Sequence, residues 1–212
     1  MSITSIPTCL NDIKDYLVSQ NLQLSSELVD GRINASLNEK ELLNCIIRAF
    51  KIQIPKKERQ WFDFAVETDN EFYPVNIKVT ETTHADNLNC KLGIYYALTG
   101  KFPDFSNEIP WAKFFQKLKA DIGSNKDKDY FFLVFNKNNS SDVFVNSLKG
   151  LSTLQPNGNN LPFQCKWDDN REFHYRNFDD AKRFILESFG QSIKQRAQIF
   201  FEFKNSFPEI PI

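Results

Sequence analysis

The sequence contains no C-x-x-C pair. Its four cysteines, Cys9, Cys45, Cys90 and Cys165, are widely spaced, so neither a zinc site nor a dithiol redox centre is indicated. They read as small buried hydrophobes of a reduced, cytoplasmic protein. The two histidines, His84 and His174, are too isolated to suggest a histidine-based metal site. No apolar run approaches the roughly 20 residues that span a bilayer, so no membrane partner is expected. The opening MSITSIPTCLNDIKDYL lacks a basic segment followed by an apolar block, and no secretory signal is expected. Neither sign of charge dominates: 26 Lys and Arg stand against 27 Asp and Glu, a formal net charge of −1. The global basic excess common in DNA-binding proteins is missing, although a local basic surface would suffice for binding. Internal repeats and low-complexity linkers are missing too.

What remains is an ordinary globular composition, 41 % hydrophobic and 25 % charged, with 21 phenylalanines. The length suits one compact domain, and residues 1–212 are read as a single one. Helical spacing predicts helices over 9–20, 38–50, 85–100, 109–123 and 178–204. Asn38 is the expected N-cap of the second, with acids in its first turn. Gly100 and Gly123 close the third and fourth, Pro110 opens the fourth, and Asn177 caps the fifth. Strands are predicted at 61–67 and 72–80, joined by the turn TDNE, and at 129–136, where DYFFLVFN is apolar enough for a buried central strand. LQPNGNNLPFQ, 154–164, reads as a loop. Without regular β-α-β alternation, the expected class is α/β or α+β, a central mixed sheet flanked by helices.

The hairpin WFDFAVETDNEFYPVNIKVT, residues 61–80, carries the chemistry. Side chains alternate faces along a strand. Phe62, Phe64 and Val66 share one face of the first strand, and Asp63, Ala65 and Glu67 the other. In the second strand Val75, Ile77 and Val79 oppose Asn76, Lys78 and Thr80. If both apolar faces turn to the core, Asp63, Asn76 and Lys78 converge on the other side. The Asp63 carboxylate, with the Asn76 amide oxygen as a second ligand, can hold Mg²⁺ while leaving positions for water and a phosphate oxygen. A neighbouring lysine can orient the attacking water and offset negative charge. The same spacing also suits the solvated face of a plain hairpin, and that alternative stays open at this level.

The order of segments resembles type II restriction endonucleases of the PD-(D/E)xK superfamily, within it the EcoRV-like group. ERQWFDF (58–64) is similar to that group's polar loop and YPDF segment, and VNIKVTETTHADNLNCKLGIYYAL (75–98) to its DIKTT strand and the segment after it. PWAKFFQKL (110–118), DYFFLVFN and QPNGNNLPFQ (155–164) fall where the group has a helix, a strand and a recognition loop, and a long C-terminal helix follows. Phe62 replaces the proline, and Asn76 stands where the first acid of the acid-x-lysine triplet is usual. The resemblance implies a restriction-endonuclease-like fold and Asp63 as principal Mg²⁺ ligand, with Mn²⁺ as a substitute ion. It also implies the Ile77 carbonyl as a second ligand and Lys78 as the residue positioning water. Glu41 is a candidate supporting carboxylate, with Glu67 and Glu81 behind it.

Reading double-stranded DNA requires contacts to base edges. In a recognition region spanning 150–170, Asn157, Asn159, Asn160 and Gln164 offer amides matching the major-groove edge of adenine, and Gly158 permits close backbone approach. KKERQ, with Lys57, Arg59 and Gln60, is expected near the minor groove or the backbone. Lys113, Lys117, Lys119, Lys182, Arg183, Lys194 and Arg196 are candidate phosphate contacts. The expected partners are a short, palindromic DNA site and a second copy of the chain, since each subunit would then read one half and cut one strand. Two further readings are a DNA-binding protein with this fold but impaired catalysis, through Asn76, and a repair-type nuclease.

Overall fold

A computed structural model describes residues 4–22, 24, 31–55, 61–105 and 110–211, with the backbone alone for 31–36. The central sheet has the order β1-β2-β4-β5, from Phe64–Glu67, Phe72–Thr80, Phe131–Asn136 and Val143–Ser147. β1 and β2 form the antiparallel hairpin, β2 and β4 run parallel, and β4 and β5 are antiparallel. The sheet is therefore mixed, as the sequence suggested. Two short strands, β3 (Ala85–Leu88) and β6 (Phe163–Lys166), pair in a separate antiparallel ribbon.

Strand alternation divides the core in two. Phe64, Val66, Val75, Ile77, Val79, Phe131, Leu133 and Phe135 point to one face and pack with Leu10, Ile13, Leu17, Leu42 and Ile46 of α1 (Thr8–Gln20) and α2 (Gly31–Ala49). Ala65, Phe132, Val134 and Phe144 point to the other, toward α3 (Lys91–Thr99), α4 (Trp111–Asp121) and α5 (Phe178–Ser206). β4 is buried on both faces, which explains its unbroken apolar run. Gly100 closes α3 at φ 67°, a conformation that favours glycine, and the Asn177 side chain accepts from the Asp180 N–H to start α5.

Several sequence expectations are corrected. Residues 85–88 are strand, and the helix begins only at Lys91; pairing with β6 overrides the weak strand preference of Ala, Asp and Asn. α2 starts at Gly31, so Asn38 is not an N-cap but a buried residue inside the helix, and Glu39 and Glu41 lie past its first turn. β1 begins at Phe64; Phe62 precedes the strand and packs against Trp61 and Phe72 in the opposite core from Phe64. Gln164 belongs to β6 rather than to a loop. All four cysteines are free, but only Cys90 and Cys165 are buried; Cys9 and Cys45 are half-buried. Among the described residues no helix is long and apolar enough to cross a membrane.

Candidate functional site

The hairpin ladder ends where the site begins. β1 pairs with β2 only as far as Phe64 opposite Val75, leaving the same edge of β2 free from Asn76 onward. The Asp63 side chain takes the place of the missing strand. Its Oδ2 accepts the Ile77 backbone N–H at 2.6 Å and the Asn76 side-chain amide at 2.7 Å. Each hydrogen bond to a charged acceptor contributes about 1.5–3 kcal/mol. The Ile77 carbonyl lies on the same strand edge as its N–H, toward Asp63. Asn76 thus acts as a donor that fixes Asp63. Burial pushes the Asp63 carboxyl above its ordinary range; the Ile77 N–H, Lys78 and Asn76 pull the other way.

Lys78 projects from the same face of β2. Its Nζ donates to the Asn87 carbonyl at 3.0 Å and lies 3.7 Å from Asp86 Oδ2, in a pair only 15 % and 23 % exposed. The Trp167 indole N–H holds that same Asp86 oxygen at 2.9 Å. Asp86 is a site residue that sequence reasoning missed, because a helix over 85–100 gave it no relation to Lys78. Alternation along β3 was the signal available. Cys90 is no nucleophile here: burial pushes its thiol up to about 12.

Of the two acids of α2, Glu39 is half-buried and Glu41 exposed. Glu39 lies three residues before Leu42 and seven before Ile46, on the face of α2 turned to the sheet. Glu41, two residues on, falls on a different face and is exposed. The Glu39 carboxyl is pushed up to about 7, first by burial and then by the negative charge of Asp63 and Asp86, with Lys78 opposing. Glu67 is exposed at the far end of β1, and Glu81 is engaged by Lys137 and His84.

Glu39 gives a testable pH dependence. Folded Glu39 keeps its proton where the unfolded carboxyl, near 4.5, has lost it. Stability therefore falls as pH rises from about 4.5 to about 7 and levels off above, with Asp63 acting in the same sense. Glu39→Gln should remove its share, on the order of 2–3 kcal/mol at pH 8 and almost nothing at pH 4. Thermal melts of both proteins at the two pH values check this; an equal shift at both would disprove the assignment.

The loop after β5 joins the same network. Asn157 Nδ2 donates to Asn87 Oδ1 at 2.9 Å and to Gln164 Oε1 at 2.7 Å, while its Oδ1 accepts the N–H groups of Asn159 and Asn160. Asn87 thus links the loop to Lys78. Asn157 and Gln164 are committed to internal bonds; Asn159 and Asn160 stand exposed. A Cβ on Gly158 would come within 2.8 Å of the α5 backbone at Arg196, so this glycine lets the loop pack closely on α5. Arg196 holds the Gly158 and Asn159 carbonyls, each at 2.7 Å, and so is not a free phosphate contact. Lys117 and Lys182 pair with Asp121 and Asp179, and Arg183 lies 3.9 Å from Asp180. Lys113, Lys119 and Lys194 are exposed. Lys57, Arg59 and Gln60 lie outside the described residues. An open groove of about 680 Å³ runs between this loop and α5, lined by Asn157, Asn159, Gln164, Lys194 and Gln195 among others.

Mg²⁺ suits this donor set in kind, since Asp63, Glu39 and the Ile77 carbonyl are all hard oxygen donors. Burial first, and after it the charges of Asp63 and Asp86, raise the Glu39 pKa, and a bound cation would oppose both effects. Among the described residues no group of three or more His, Cys, Asp or Glu is close enough to hold an ion by itself. Water and a substrate phosphate would have to complete the shell, which is the usual way of holding Mg²⁺. No protein-family model and no curated protein matches the chain.

Proposed function

We propose that this chain is a Mg²⁺-dependent, sequence-specific endonuclease of double-stranded DNA, a restriction-type enzyme acting as a homodimer on a short palindrome. The observation that carries the reading is the meeting of Asp63, Asn76 and Lys78 at an open strand edge, with Asp86 and Glu39 beside them. Asp63, Glu39 and the Ile77 carbonyl would hold the ion, with Mn²⁺ as a substitute. Bound there, Mg²⁺ would acidify a water and offset charge on the scissile phosphate. Lys78, positioned by Asn87 and Asp86, orients the attacking water and stabilises negative charge as the phosphorus–oxygen bond breaks. Asn76 keeps Asp63 aligned. Its neutrality favours a second reading, a DNA-binding protein of the same fold with weak catalysis.

Digestion of a known genome in Mg²⁺, followed by sequencing of the fragment ends, tests the proposal. Discrete fragments sharing one short sequence at every end are expected. A smear with unrelated ends would point instead to a repair-type nuclease.

Base reading falls to the exposed Asn159 and Asn160. Replacing either by Ala should reduce discrimination by about 1–3 kcal/mol per lost bidentate contact and spare non-specific binding at low salt. Titrations against cognate and random duplexes measure it. Equal loss on both would reassign the loop to phosphate contact or packing.

A further inference from the structure

Trp167 and Lys78 converge on one carboxylate oxygen. Asp86 pairs with Cys165 across the ribbon of β3 and β6, and Trp167, two residues past Cys165, is its diagonal neighbour. The Trp167 side chain is fully buried, its ring 5.4 Å from that of Phe132 and 6.2 Å from that of Phe144. Packed this way, it directs its indole N–H to Asp86 Oδ2 at 2.9 Å. Lys78 Nζ approaches the same oxygen but stops at 3.7 Å, beyond hydrogen-bond reach. A direct ammonium–carboxylate bond is about 2.7–2.9 Å long. Opposite charges this little exposed attract strongly, so the gap calls for a restraint.

We infer that Trp167 is a positioning residue for Lys78 and acts through Asp86. An ammonium group has three protons, and the Asn87 carbonyl takes one of those on Lys78. A closed pair with Asp86 would take a second and cancel the positive charge needed at the scissile phosphate. With Asp86 tied to the indole, the carboxylate keeps Lys78 in place without neutralising it. The remaining protons stay available to the attacking water and the phosphate. The use of the restraint rests on the nuclease reading, whereas its existence rests on these contacts alone.

Crystal structures of the parent and of Trp167→Phe test the restraint without DNA. Phenylalanine keeps an aromatic ring in the core and removes the N–H. The distance from Lys78 Nζ to Asp86 should close from 3.7 Å to about 2.7–2.9 Å. Single-turnover cleavage by Trp167→Phe at saturating Mg²⁺ should fall at least about tenfold. Adding Asp86→Asn to that variant should recover most of the loss, because an amide at position 86 does not neutralise Lys78. Lost packing alone would not be rescued in this way. If the phenylalanine variant does not fold, a benzothienyl side chain introduced at position 167 removes the same N–H at nearly constant shape. An unchanged distance between Lys78 and Asp86 would overturn the inference, as would a cleavage defect that Asp86→Asn fails to relieve. A parent that cuts no DNA would sink the nuclease reading, and the pair of crystal structures would still decide the restraint.

Discussion

Asp63→Ala is expected to remove cleavage, with a loss of at least about 10²–10³-fold, while specific DNA binding stays measurable. Asp63 is the carboxylate around which the site is built: one oxygen aligns Asn76 and the open edge of β2, leaving the other for an ion. Alanine also strands two donors, the Ile77 N–H and the Asn76 amide, at about 1–3 kcal/mol for each one water does not reach. Part of any lost activity would then be lost structure. Asp63→Asn separates the two effects, since it keeps an oxygen for the Ile77 N–H and loses only the charge. It should melt close to the parent and be as inactive as the alanine variant. Single-turnover cleavage with binding titrations on both proteins gives the answer, and undiminished cutting by either would remove Asp63 from the site.

Asn76→Asp should have the opposite sign in Mg²⁺ and the same sign without it. The Asn76 amide now donates to Asp63 at 2.7 Å. An aspartate there sets two carboxylates against each other, and one must take up a proton or move away. Without metal the variant should lose about 1–3 kcal/mol of stability. With metal, the added charge gains several kcal/mol of attraction at close range, even at an effective dielectric of about 20, before desolvation. Its half-saturating Mg²⁺ concentration should fall at least about tenfold, and its melting temperature should rise with Mg²⁺ far more than the parent's. Calorimetry and melting curves over a Mg²⁺ series measure both. A variant as stable as the parent without metal, and no more responsive to it, would place Asn76 away from the ion.

Three strands of the sheet were legible because they carry strong local patterns, whereas β5, Val143–Ser147, was not predicted. The unbroken apolar run of β4 and the alternation of Val75, Ile77 and Val79 fixed two strands and the face that Asn76 and Lys78 occupy. β3 and β6 were not legible. They have four residues each, rich in Asp, Asn, Gln and Lys, and exist because they pair with each other across 75 and more residues of chain. Asp86 was lost with β3. Glu39 was lost because the start of α2 was placed at Asn38, so a residue of the helix body read as part of a first turn. Asn157 was half legible: its place in a turn of Asn and Gly residues was clear, but its bonds to Asn87 and Gln164 depend on the unforeseen ribbon. Alternation also failed at Phe62, where the chain has already left the strand.

The central claim is that Asp63, Asn76 and Lys78 form a metal-dependent DNA-cutting site. Its most direct test is incubation of the unmodified chain with mixed-sequence supercoiled plasmid over a range of Mg²⁺ and of Mn²⁺ concentrations, with Asp63→Asn alongside. The account predicts discrete linear fragments from the parent in either metal, none with chelator, and none from the variant. No cutting by the parent in either metal, together with no metal bound by calorimetry, would contradict it.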